Sequence, residues 1–285
     1  MFRKKKVVWL LLLPAFTGLF VFYIIPFFGG IYYSLTDGTF QNNFIGFGNY
    51  AKVWNNTMFQ TGLKNTLILS VLCAPAIWII SFILADMLRV LDKHAKGFRN
   101  ILLLPYLMPS AALILIWTIL FDYGGVVNKM LVALGLDRVI WLRGAPLRVP
   151  IIILYMWKNI GFSVVIFTAA FQSVPISLYE FASLEGASPL YQEFKITLPL
   201  ISPSAFLVFV MAWINAFKIF KEAYYIGGAY PDSMEIYTLQ HFMNNHFAKI
   251  NYQYVTTAAY SFAIIVFVLF ALLYYMESRI RKGVN

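Results

Sequence analysis

Tyr155, Lys158, Asn159 and Phe162 recur at three-to-four spacing inside one long apolar run. On a helix they share a face that combines aromatic surface with hydrogen-bond donors. A charge in the middle of a bilayer span costs about 2.5 to 3.5 kcal/mol, so Lys158 is expected against a partner helix or a wet cavity. Sugars suit that mixture: their apolar ring faces stack on aromatics, and their hydroxyls take directed donors and acceptors. The next apolar run offers Asn215 and Lys218 on a comparable face, with Trp213 nearby. Two readings stay open. The asparagines can instead join helices by hydrogen bonds while the aromatics pack. The lysines would also match an anionic ligand such as a uronate or phosphorylated sugar.

Other constellations are decoys. Gly46-Phe47-Gly48-Asn49-Tyr50-Ala51 imitates a dinucleotide fingerprint but follows an apolar run rather than a strand, and reads as a loop. Asn55-Asn56-Thr57 matches a glycosylation triplet with nothing else to support it. His241 and His246 point to different faces of a helix, and no further His or Cys completes a metal site. The lone Cys73 sits in an apolar stretch and reads as a packed thiol. No catalytic, cofactor-binding or metal residues emerge, and there is no acid/base pair or nucleophile constellation. The chain also lacks a G-x-x-x-x-G-K-[ST] phosphate loop, so any nucleotide hydrolysis of that type belongs to another polypeptide.

The elements that must position the polar face are membrane helices. Of 285 residues, 61% are apolar and 12% charged, and the mean hydropathy is +0.73. A soluble domain carries roughly 25% charged residues, so lipid must cover most of this exterior. The net charge of +10 sits in clusters that bracket apolar runs, which excludes a phosphate-binding face for nucleic acid. Crossing ~30 Å of hydrocarbon takes about 20 residues of helix. Six runs qualify: 7 to 35, 65 to 90, 100 to 121, 149 to 172, 200 to 221 and 254 to 276. They are continuous rather than alternating, so the fold is an all-α integral membrane protein, not a barrel. The first run reads as a retained anchor without a cleavage site. Arg3, Lys4, Lys5 and Lys6 precede it, Arg89, Lys93, Lys96 and Arg99 fall in the second connection, and Arg279, Arg281 and Lys282 lie near the end. Positive-inside counting puts these clusters, and both termini, in the cytoplasm. Arg138, Arg143 and Arg148 count against it, in a loop placed outside.

Between the fourth and fifth runs, residues 177 to 199 have a grammar of their own. Ser177 and Glu180 have capping-box spacing, which predicts a helix start. Gly186 suits a left-handed stop, and Ser188-Pro189 supplies a fresh cap with proline at the first helical position. The expectation is a short helix, a glycine corner and a second helix reaching Pro199. Its apolar Leu178, Phe181, Ala182 and Leu184 would also serve an amphipathic helix lying on headgroups.

This segment resembles the EAA loop of binding-protein-dependent ABC importer permeases, with Glu180, Ala182, Glu185, Gly186, Ala187, Ile196, Leu198 and Pro199 at the pattern's positions. Phe181, where a small residue is usual, and Glu185, where aspartate is common, depart from it. Nearly the whole chain is similar to the carbohydrate branch, the maltose-type and glycerol-phosphate-type permeases. The likeness runs through Tyr33-Ser34-Leu35, Ile45 to Tyr50, Leu103-Leu104-Pro105 to Pro109, Gly227-Gly228 to Pro231 and Tyr254 to Ser261. Ala229 and Tyr230 are inserted before Pro231, and Lys221 stands where an acid is frequent.

The resemblance implies a type I ABC importer permease (MetI-like) fold, a single transmembrane domain over 1-285 with a cytoplasmic coupling helix. It implies an ATP-driven carbohydrate importer in a bacterial or archaeal cell membrane. Its partners would be a second homologous permease subunit, two copies of a cytoplasmic ATPase that uses ATP and Mg, and an extracellular or periplasmic sugar-binding receptor. This chain would bind no cofactor and would not be an enzyme. Glu180, Ala182, Glu185, Gly186 and Ala187 would couple to the ATPase, with Glu180 facing its cleft and Gly186 permitting the corner. Positions near Tyr155, Lys158, Asn159, Phe162, Trp213, Asn215 and Lys218 line the sugar site in the maltose-type relatives. The rivals are an ion-coupled secondary transporter, which would need an internal repeat and a mid-membrane carboxylate, and a membrane scaffold. Asp86, Asp122 and Glu222 all fall near predicted span ends.

Overall fold

Backbone polar groups find no partners in hydrocarbon, so each apolar run closes its hydrogen bonds within itself. In a computed structural model of the chain, residues 2–39, 41, 43–90 and 95–282 are described. Lys93 lies outside them. Among the described residues the only β pairing is one bridge, Thr36 to Phe44. Five helical stretches of the described residues are long and apolar enough to cross a membrane: Leu11–Ser34, Thr57–Arg89, Ala145–Gln172, Ser202–Gly227 and Tyr252–Tyr275. A sixth is possible only as a bent pair, Lys96–Leu107 with Ser110–Leu120, turned by 97°.

That bend departs from the uninterrupted third run expected from composition. Helix α5 (Ala95–Leu107) ends two residues before Pro109, and α6 (Ser110–Leu120) begins directly after it. Pro109 is extended, at φ −57° and ψ 131°, and a residue preceding proline is biased away from helical geometry. The fifth run also differs. Helix α12 (Ser202–Ala216) breaks at Phe217–Ile219 and resumes as α13 (Phe220–Gly227), carrying Glu222 well inside the helical stretch.

Two prolines are accommodated by widened turns rather than kinks. A π turn at Phe20–Ile24 joins α1 (Phe2–Leu19) to α2 (Ile25–Ser34) ahead of Pro26. A second, at Glu193–Thr197, joins α10 (Pro189–Gln192) to α11 (Leu198–Leu200) ahead of Pro199. Proline offers no N–H to the fourth preceding carbonyl and its ring crowds it, and the extra residue per turn relieves both.

The described residues divide into two compact units. In the first, residues 1–60 with 242–271, Gly46 and Phe47 form the expected turn, while α3 (Gly48–Trp54) takes up the rest of that segment. Buried Asn49 donates to the carbonyls of Ser34 (3.0 Å) and Thr36 (2.7 Å), while the Tyr50 hydroxyl meets Ser34 Oγ at 3.1 Å. Asn56 caps α4 (Thr57–Val90) by accepting from the N–H groups of Met58 and Phe59. The Trp54 indole donates to Ser261 on α15 (Tyr252–Lys282) at 3.1 Å. In the connecting loop, hydrogen bonds from the Thr39 N–H and hydroxyl, then from Asn43, hold Asp37 below the usual carboxylate range.

In the second unit, residues 61–241 with 272–285, α4, α8 (Arg148–Gln172) and α12 share a core of Ala85, Leu88, Val164, Phe167, Ala205 and Val208. Polar side chains tie these helices together: Trp78 donates to the Ala205 carbonyl at 2.8 Å and Ser81 to the Ile160 carbonyl at 3.2 Å. Short α7 (Val126–Ala133) is held by buried Asn128, which bonds Val139 in both directions. Cys73 is buried and unpaired, as a packed thiol. His241, on α14 (Leu239–Ala248), is fully buried. Its Nδ1 accepts from the Thr238 N–H at 3.1 Å, and burial lowers its pKa to about 4.

Helices α5 and α8 touch at Gly161, where a Cβ would overlap the Leu102 carbonyl. G161A should therefore lower stability by about 2 kcal/mol, read as an earlier thermal transition in detergent. A second transition should depend on pH. His241 takes up a proton more readily unfolded, near pH 6.5, than folded, so its contribution is full above that value and is lost as pH falls toward 4. Moving from pH 7 to 5 should cost about 2 kcal/mol, and the H241Q protein should lack that component of the pH dependence.

Candidate functional site

Two places gather the residues with chemical potential. The first is the inner face of α8. The Lys158 ammonium donates to Ser110 Oγ at 2.6 Å and to Glu222 Oε1 at 3.0 Å. Ser110 opens α6 just after the bend, and Glu222 lies in the first turn of α13, where the positive end of a helix suits a carboxylate. Glu222 is 3% exposed. The lysine is thus compensated within the chain by a residue placed, on sequence grounds, at a span end. Its signal was available: an ammonium inside an apolar run favours an acidic partner, and Glu222 directly follows the next run, 200 to 221.

The neighbouring side chains divide. Tyr155 is buried, and its hydroxyl finds no hydrogen-bond partner among the described residues. Asn159 donates to the Tyr155 carbonyl at 2.8 Å on its own helix, so it does not join helices through that group. Phe162 stacks on Tyr106 of α5, with centroids 4.9 Å apart. Trp157 stacks on Trp117 of α6 at 5.2 Å. On α12, buried Trp213 lies between Phe209 and Phe217. Lys218, exposed in the break before α13, reaches Asn215 Oδ1 at 3.4 Å. The polar groups therefore collect where helices are interrupted.

The second place is residues 175 to 200. Helix α9 (Ile176–Leu184) has Pro175 at its N-cap, two residues before the expected cap Ser177, and no side-chain hydrogen bond caps it. The capping box of Ser177 and Glu180 does not form, because Pro175, with φ already near −62°, starts the helix instead. The far end matches the glycine corner. Gly186 has φ +80°. Its N–H donates to the Ser183 carbonyl at 3.1 Å and that of Ala187 to the Ala182 carbonyl at 2.9 Å, the paired bonds of a Schellman stop. Ser188 then caps α10, accepting from the Tyr191 N–H at 3.3 Å. Gln192 fastens the corner through Ser183 Oγ (3.0 Å) and the Ala187 carbonyl (3.1 Å). Beneath, the Tyr179 hydroxyl meets buried Thr197 at 2.8 Å. Glu180 and Glu185 face outward, as do Phe181 and Leu184, which are 68% and 86% exposed. Two carboxylates set among large exposed apolar side chains make a surface fit for a protein partner.

Residues 78–282 match the family described as "Binding-protein-dependent transport system inner membrane component". The chain is 30% identical over 213 residues to the sn-glycerol-3-phosphate transport system permease protein UgpA of Yersinia pestis, covering 73% of this chain and 72% of that protein. It is 31% identical over 240 residues to the trehalose/maltose transport system permease protein MalF of Thermococcus litoralis, covering 81% and 80%. A solved bacterial ABC transporter involved in import of the acidic polysaccharide alginate matches with a TM-score of 0.85 and 25% identity, covering 98% of this chain and 97% of its own.

The Lys158–Glu222 pair gives a direct test. E222L leaves the lysine buried without its acid and should destabilise the protein by about 3 kcal/mol. The K158M/E222L double variant should recover most of that loss in detergent melting, because removing both charges avoids the unpaired one.

Proposed function

Because the chain belongs to the family of binding-protein-dependent transport inner membrane components, we propose that it forms half of the pathway of an ATP-driven carbohydrate importer. The observation that carries the mechanism is the exposed elbow of α9, Gly186 and α10. A separate ATPase, using ATP and Mg, seats on this elbow: Glu180 and Glu185 meet its basic side chains, and Phe181 and Leu184 fill its apolar cleft. Ala182 and Ala187 stay small so that the Schellman stop can close. When two ATPase copies come together, the elbow is pulled and the membrane helices exchange inward for outward exposure.

A second, related permease completes the pathway, and a receptor outside the membrane delivers the sugar. A solved relative of this fold is described in complex with an alginate pentasaccharide-bound periplasmic protein, which supports a receptor of that kind. Both termini are cytoplasmic, with Arg89, Lys96 and Arg99 on the same side, and the bent α5–α6 pair counts as one crossing. The substrate passes the faces of α8 and α12 that carry Tyr155, Asn159, Phe162, Trp213 and Asn215, and the break beyond α12 that carries Lys218. Glu222 offsets the charge of Lys158, so a neutral sugar needs no counter-ion there.

The test uses the importer purified with its partners. ATP hydrolysis is measured with receptor loaded from a panel of trehalose, maltose, sn-glycerol-3-phosphate and an alginate pentasaccharide. A neutral sugar should stimulate most. Gly186 sits at a φ that proline's ring forbids, so G186P should lower uptake at least about ten-fold, the 1.4 kcal/mol equivalent of a weakened coupling contact. Normal assembly with full uptake in both G186P and E180A would refute the coupling role.

A further inference from the structure

Arg89, at the last turn of α4, is where four elements converge. Its guanidinium donates to Asp86 Oδ1 on its own helix at 2.6 Å and to Glu193 Oε1 in the π turn beyond the elbow. It also lies over two rings, Phe171 of α8 at 5.3 Å and Tyr179 of α9 at 4.9 Å. Tyr179 is itself bonded to Thr197, on the return helix. Both hydrogen bonds leave one nitrogen, Nη2, while the guanidinium lies over the two aromatic rings, and it is this planar stacking that a lysine ammonium would not reproduce.

We infer that Arg89 is a positioning residue for transport: it fastens both arms of the elbow to α4 and α8, so that a pull on α9 moves the membrane helices instead of bending the elbow. The inference rests on the coupling role proposed above for residues 177 to 199. The geometry favours it over a local structural role. Tyr179 and Glu193 lie on opposite sides of the Gly186 corner, and one side chain of another helix holds both. Tyr179 also packs against the core shared by α4, α8 and α12, and the Arg89 contacts add to that packing, and to the short connection Ser173, Val174 and Pro175, a polar hold that reaches across the corner to Glu193.

The importer reconstituted with its partners provides the test. The readout is sugar moved per ATP hydrolysed, using the panel sugar that stimulates hydrolysis most. R89Q should lower this ratio by about three- to thirty-fold, the range in which coupling residues act. R89K should recover only part of it. A merely structural defect lowers uptake and hydrolysis together, and an unchanged ratio overturns the inference. If R89Q does not assemble, E193Q and Y179L, each removing one partner, decide by the same ratio. L184C, at the exposed end of α9, separates the two claims by crosslinking to the ATPase. No crosslink in the otherwise unaltered protein removes the coupling role and this inference with it. A crosslink with an unchanged R89Q ratio overturns the inference alone.

Discussion

Hydrocarbon will not hydrate a peptide group, and that constraint decides where this chain can be irregular. The described spans break at two interior places, Met108–Pro109 and Phe217–Ile219. Both breaks sit against α8 through the same side chain: Lys158 meets Ser110, just beyond the first break, and Glu222, just beyond the second. An ammonium with three donors can serve two acceptors on two different helices, which no apolar residue could do. The ion pair thus does more than neutralise charge. It gives the interrupted helices a fixed mutual register around α8, and it makes a polar environment in which a broken backbone can be tolerated.

The close approach of α5 and α8 is the apolar counterpart. Gly161 leaves no Cβ to hold the Leu102 carbonyl away, and Phe162, its neighbour, stacks on Tyr106 one turn further along α5. The bent arm is therefore gripped over its length before the bend. Beyond the bend, Trp117 donates to the Pro150 carbonyl at 3.0 Å and stacks on Trp157, so α6 too is referred to α8. The fourth span is the post to which both halves of the interrupted third run are fixed.

These relations mark the limit of what the residues reveal in order. Hydropathy delimits the long helices because the driving force is local to each run, and the Gly186 corner is legible because a left-handed stop and a Ser-Pro start are written in adjacent residues. The capping box failed for the same reason in reverse: Pro175 competes with Ser177 two residues away, and the proline starts the helix. The 97° bend was invisible because composition runs unbroken through Met108 and Pro109, and a membrane helix often keeps its course past a proline. The turn at Gly46 runs directly into α3, which Asn49 anchors by bonding the carbonyls of Ser34 and Thr36, a tertiary reward that no window of sequence displays. Glu222 is the instructive case: its importance followed from Lys158, not from its own surroundings.

A membrane helix bundle can transmit a pull only through contacts stiffer than the lipid and solvent around them. At the elbow, backbone bonds close the corner, and Gln192 ties Ser183 to Ala187 across it, so α9 and α10 behave as one piece. Near the middle of α8, the Lys158 contacts bind three helices at the polar face. Between them, Phe167 and Phe171 pack edge-on against Phe82, and Trp78 meets Phe167 in the same way. Large planar rings in such arrangements have few alternative rotamers and little room to yield, in an interior as dense as an organic crystal. From the elbow, packed side chains therefore form a continuous path along α8 to the two helix breaks.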